Sequence, residues 1–172
     1  MIIDTLRHCR LFDNLTDEQI ERIGEMVEEH HFRKGDYVCR EGAWGDSMYI
    51  IDSGEVKIVK KLDVEDNWDI TTLRHGDFFG EVALVDGSPR TASCMALTHT
   101  TVLELFGRDF KKLLNAKDDL ANRMMESLLR TLINRIRATD DIVARFMHDS
   151  NPAKRKEGAS MRETITRMMV GR

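Results

Sequence analysis

Residues 78–96 read FFGEVALVDGSPRTASCMA, and the reading of the whole chain turns on them. Glu81 follows Gly80 and precedes a small apolar run, and Arg90 comes nine positions later, after Pro89 and before small residues. An acceptor and a permanent cation in one short stretch suit a ligand that carries both a hydroxyl and an anion. Gly80 lets a ligand approach the backbone, and EVALV after it suits a very short helix whose first N–H groups, including that of Ala83, point at an anion. Arg90 offers a planar fork to two phosphate oxygens, where a lysine would act as a point charge. Pro89 holds Ser88 extended, so a strand carrying Arg90 is expected to follow.

On both sides of this stretch, short alternating or apolar runs are punctuated by glycines. DYVCRE, SMYIID, EVKIVKK, DITTLR, TASCMAL and TTVLEL between Phe32 and Leu105 read as strands of a sandwich or barrel. The charged KLDVEDNW reads as a solvated hairpin loop. Upstream, Thr16 and Gln19 have the form of a capping box, and Leu15, Ile20, Ile23 and Val27 then recur at helical spacing, which predicts a helix running to His30. His30 and His31 are then expected to interact with the terminal carbonyls of that helix.

Downstream of Phe110 the period changes again. Met125, Leu129, Leu132, Ile136, Thr139, Val143 and Phe146 form an alternating four-three stripe, the seam of a coiled coil or of a long packing helix. A helix of about 30 residues spans about 45 Å, longer than a barrel of this size needs, which favours a homodimer. Ser150-Asn151-Pro152 stops it, and residues 148–172 form a locally basic tail.

The 172 residues suit one domain of ordinary size plus an appended element. A third of them are charged and the net charge is only −4, which argues against a polybasic nucleic-acid or membrane-surface protein. Neither a signal peptide nor a membrane span is indicated, so a cytoplasmic location is expected. Cys9, Cys39 and Cys94 lack metal-ligand spacing and read as packed thiols. No positioned nucleophile or metal cluster is legible, so the chain reads as a binder rather than an enzyme.

Glu81 narrows the ligand. A carboxylate beside a phosphate site repels the ligand unless it accepts a compensating hydrogen bond, and in a 3′,5′-cyclic nucleotide the 2′-hydroxyl is the ribose donor left free. The alternative is that Glu81 and Arg90 pair with each other on the surface, a contact worth under about 1 kcal/mol.

FGEVAL at 79–84 followed by PRTA at 89–92 resembles the phosphate-binding cassette of cyclic nucleotide-binding domains. This family includes catabolite activator-like proteins, regulatory subunits of cyclic AMP-dependent kinase and cyclic nucleotide-gated channels. The resemblance extends to residues 32–58 and to LFDNLTDEQI, and it covers residues 6–147. It implies a mainly β fold with flanking helices, a double-stranded β-helix or β-roll followed by a long C-terminal helix, with 1–147 as the binding domain. It also implies a cyclic AMP or cyclic GMP ligand and no cofactor. Arg90 is implied to hold the phosphate and Glu81 the ribose. Gly80 and Ala83 would give backbone donors, with Val82 and Ala92 completing the cassette. Thr91 would lie beside the base, Ile58 and Ile70 would form apolar walls, and Ala138 and Thr139 of the long helix would lie near the base. The function implied is a sensor whose helix placement regulates a partner protein. SMRETITRMM at 160–169 resembles a recognition helix of catabolite-activator-type regulators, and a minimal or degenerate DNA-binding regulator stands as the alternative.

Overall fold

The computed structural model describes residues 2–61 and 67–148, with side chains for 2–61 and 69–141. The tail with SMRETITRMM, most of the KLDVEDNW loop, and the side chains of Trp68, Val143 and Phe146 lie outside the described residues.

Helices α1 (Ile2–His8) and α2 (Asp17–Gly24) flank a 3₁₀ turn at Arg10–Phe12. Thr16 and Gln19 do form a capping box, each side chain meeting the other residue's backbone N–H. Eight strands follow: β1 (Glu28–Phe32), β2 (Tyr37–Cys39), β3 (Ser47–Ser53), β4 (Val56–Lys61), β5 (Asn67–Leu73), β6 (Phe78–Phe79), β7 (Ser93–Ala96) and β8 (Thr100–Phe106). The short α3 (Glu81–Asp86) lies between β6 and β7, and α4 (Gly107–Asn115) and α5 (Asp119–His148) close the described chain.

The strands make two antiparallel four-stranded sheets, ordered β1-β8-β3-β6 and β2-β7-β4-β5, the two halves of a β-roll. β3 is buried from Ser47 to Ile51 because its sheet is covered on both faces. Met48 and Ile50 point into the core shared with the helices, while Tyr49 and Ile51 point into the core between the sheets, as the period of two requires. The helical core joins Leu6, Leu11, Phe12 and Ile23 to Phe110, Leu120, Met124 and Leu128, which docks the start of α5 against the roll.

Three expectations about elements are corrected. α2 ends at Gly24 instead of reaching His30, and both histidines belong to β1, where the ladder with β8 takes up the backbone groups. Val27 still packs on the helical core, so its helical spacing was a coincidence of burial. Arg90 lies in the loop before β7 and not in a strand: its backbone N–H donates to the Ala43 carbonyl and its carbonyl accepts from Gly42, both at 2.8 Å, so the 40–46 turn holds it outside the ladder. Asn67 and Trp68 belong to β5, opposite Lys61 and Lys60.

The stripe on α5 is divided. Of its members Met125 packs against the helical core, beside Leu120, Met124 and Leu128, which lie outside the stripe. Leu129, Ile133 and Ile136 are 52%, 46% and 61% exposed. No helix among the described residues is long and apolar enough to cross a membrane.

Candidate functional site

Between the second sheet, α3, the 90–92 loop and α5 lies a cavity of about 690 Å³, a size usual for small-ligand sites. Gly80, Glu81, Val82, Ala83, Arg90, Thr91, Ala92, Ile58, Ile70 and Thr139 all line it. Ala138 does not. It is buried at 4% exposure on another face of α5, and Asp140, next to Thr139, lines the cavity instead.

Arg90 is only 6% exposed and is built into the wall. Its Nη1 donates to the carbonyls of Ser47 and Gly80, and Nη2 donates to Ser47 Oγ at 2.9 Å. Ser47 Oγ in turn donates to Glu104 Oε1 at 2.5 Å, and the guanidinium carbon lies 5.3 Å from the centre of the Tyr49 ring. Burial pushes the Tyr49 phenol up to about 12, so it stays neutral beside this network. A guanidinium has five N–H groups; these bonds take both on Nη1 and one on Nη2 and leave, among the described residues, the Nε–H and the second Nη2–H, the pair that forms a two-pronged edge.

Two glycines make room for this side chain. A Cβ on Gly80 would come within 2.6 Å of Arg90 Nη1, and one on Gly45 within 2.7 Å of Nε. Gly80 also has φ +81°, a left-handed conformation at the N-terminal cap of α3 that a side chain would strain.

Glu81 is 3% exposed and does not pair with Arg90. Its Oε1 accepts from Nη1 of Arg135, which comes from α5. The Arg135 carbon sits 5.6 Å from the centre of the Phe78 ring, and its Nε is buried without a hydrogen-bond partner among the described residues. Arg135 was missed by sequence reading, because nothing local marks it: it lies 54 positions from Glu81. It offsets the carboxylate in a site that also holds Arg90. Lys60 was missed as well. Its Nζ bonds Glu41 at 2.6 Å and the Thr91 carbonyl at 2.7 Å, fixing the loop after Arg90. Cys39 and Cys94 also line the cavity, where packed thiols alone were expected. His30 Nε2 lies 2.8 Å from Glu104 Oε2, without the angle of a hydrogen bond. Among the described residues no three His, Cys, Asp or Glu side chains are placed to hold a metal ion.

Comparison with known proteins agrees with this geometry. Residues 29–117 match the family model described as the cyclic nucleotide-binding domain. A cGMP-dependent protein kinase, isozyme 2 forms cD5/T2, from Drosophila melanogaster is 33% identical over 123 residues, which are 70% of this chain and 13% of that protein. A cAMP-dependent protein kinase regulatory subunit from Aspergillus fumigatus is 39% identical over 119 residues, 69% of this chain and 28% of that protein. The chain therefore spans only a minor part of these relatives. The crystal structure of a cyclic nucleotide-binding domain from Methylobacillus flagellatus superimposes with a TM-score of 0.72 at 26% identity, covering 83% of this chain and 80% of that one.

Proposed function

The chain belongs to the cyclic nucleotide-binding domain family, a family of regulatory domains, and we propose that it is a sensor of cyclic AMP or cyclic GMP that acts by changing how α5 sits on the roll. The observation that carries this reading is the convergence of Arg90 and Glu81. Two nearly buried groups of opposite charge line one cavity, yet each is held by other partners.

The free edge of Arg90 is suited to two phosphate oxygens of a cyclic phosphodiester. Glu81, already held by Nη1 of Arg135, accepts from the ribose 2′-hydroxyl. Ile58 and Ile70 form apolar walls, with Val82, Ala83, Thr91, Ala92 and Thr139 around the nucleotide.

Regulation follows from how α5 is attached. Its first turns are buried in the helical core, whereas beyond Leu128 it meets the roll through the cavity-lining side chains and the Arg135–Glu81 pair. A ligand that engages Glu81 and Arg135 together has different affinity for different placements of that segment, which is the requirement for transmitting a signal to a partner protein. The exposed Leu129, Ile133 and Ile136 stripe suits a second copy of the chain.

Amide hydrogen exchange across Asp119–His148 tests the reading. Saturating cyclic AMP or cyclic GMP is expected to change protection in this helix, while the open-chain 5′-monophosphates leave it unchanged. Identical exchange with and without either cyclic nucleotide would overturn it.

A further inference from the structure

Cys39 on β2 and Cys94 on β7 are paired in the ladder, just past a register shift between Tyr37 and Cys39. Opposed residues in an antiparallel pair have Cα atoms about 4.5–5.5 Å apart, inside the range of about 4.4–6.8 Å that a disulfide spans. Both side chains lie on the same face. Cys94 belongs to the core between the sheets, Cys39 packs against that core, and both line the nucleotide cavity. We propose that Cys39 and Cys94 are a peroxide-reactive dithiol that closes to a cross-strand disulfide in the cavity wall.

The two thiols have unequal roles. Hydrogen bonding to Cys94, followed by the nearby Arg90 charge, lowers the Cys39 thiol below its ordinary range, whereas Cys94 is raised by that same bond and by burial. Both line the cavity, Cys39 half-buried and Cys94 only 5% exposed. Cys39 therefore attacks and Cys94 resolves. The Cys39 thiolate attacks one oxygen of hydrogen peroxide, the O–O bond breaks, and the departing hydroxide takes up the proton lost by Cys39 to leave as water. The Cys94 sulfur then attacks the Cys39 sulfenic acid, the S–O bond breaks, and the hydroxyl leaves with the Cys94 proton as a second water. Two thiols are oxidised by two electrons, and one peroxide is reduced to two waters. Cys9 is an internal control: it is fully buried, and burial pushes its thiol up to about 12.

Because both thiols line the cavity, an occupant shields them. This last consequence rests on the nucleotide reading above, whereas closure of the disulfide does not.

The test uses the full reduced chain, a small excess of hydrogen peroxide, alkylation with N-ethylmaleimide, and peptide mapping by mass spectrometry. The expected product carries a bridge between the Cys39 and Cys94 peptides, with Cys9 alkylated only after denaturation, and Cys39→Ser forms no bridge. Cys39 oxidised to sulfinic acid beside a free Cys94 thiol, or a bridge that includes Cys9, would overturn the dithiol. With cyclic nucleotide at about ten times its dissociation constant, about a tenth of the protein is free and bridging slows about tenfold. Calorimetry on the reduced chain separates the two ideas. Binding without slowed bridging contradicts the shielding, and absence of binding contradicts the nucleotide reading while the bridge is judged by the mapping alone.

Discussion

Glu81 and Arg90 are legible in sequence because a short glycine-flanked acid and a proline-flanked cation have few structural reasons to recur together, and the structure places both in one cavity wall. What sequence could not show is how their charges are managed. Arg90 is supported by Ser47 and Gly80, and Glu81 by Arg135, all partners brought in by tertiary folding. The same limit hid the Cys39–Cys94 pair, since cross-strand register is not visible in spacing. At this scale the sharpest expectation concerns the sugar. Wild-type protein should prefer a ribose cyclic nucleotide to its 2′-deoxy analogue by about 1–3 kcal/mol, the cost of leaving a buried acceptor unpaired. Glu81→Gln should lose most of that preference. Competition binding with both ligands measures it, and an unchanged preference in the variant would remove Glu81 from ribose recognition.

Elements with a strong local signal were legible, and elements made by their neighbours were not. The capping box at Thr16 and Gln19 starts α2 as read, and all six apolar runs became strands. β1 was hidden because EEHHF carries no apolar alternation, and it exists through its ladder with β8. The two-residue β6 is too short for any period to mark. On α5 the apolar positions outnumber what the roll can cover: Leu120, Met124 and Leu128 are consumed by the core, while Leu129, Ile133 and Ile136 stay exposed. We infer that this second stripe meets its counterpart in a homodimer. Sedimentation velocity should show a dimer for the wild-type chain and a folded monomer for the Leu129→Glu, Ile133→Glu double variant. A monomeric wild type at high concentration would contradict the inference.

For the whole molecule, the fold is a device for bringing one sheet, a short helix and the far part of a long helix around a single cavity. The first sheet and the early helices form the larger core and anchor α5 at its start. The second sheet, α3 and the 90–92 loop supply most of the cavity wall, and α5 closes it through Leu132, Arg135, Ile136, Thr139 and Asp140. Titration calorimetry of wild-type and Arg90→Leu protein with cyclic AMP and cyclic GMP reads whether the free edge of Arg90 holds an anionic phosphodiester in this cavity. Two charge-assisted hydrogen bonds at about 1.5–3 kcal/mol each amount to a loss of at least about 100-fold in affinity. Saturable wild-type binding that falls by this factor in a variant still melting cooperatively is the expected result. Equal affinity in the two proteins, or no binding of either nucleotide by the folded wild-type chain, would rule out Arg90 as the phosphate holder.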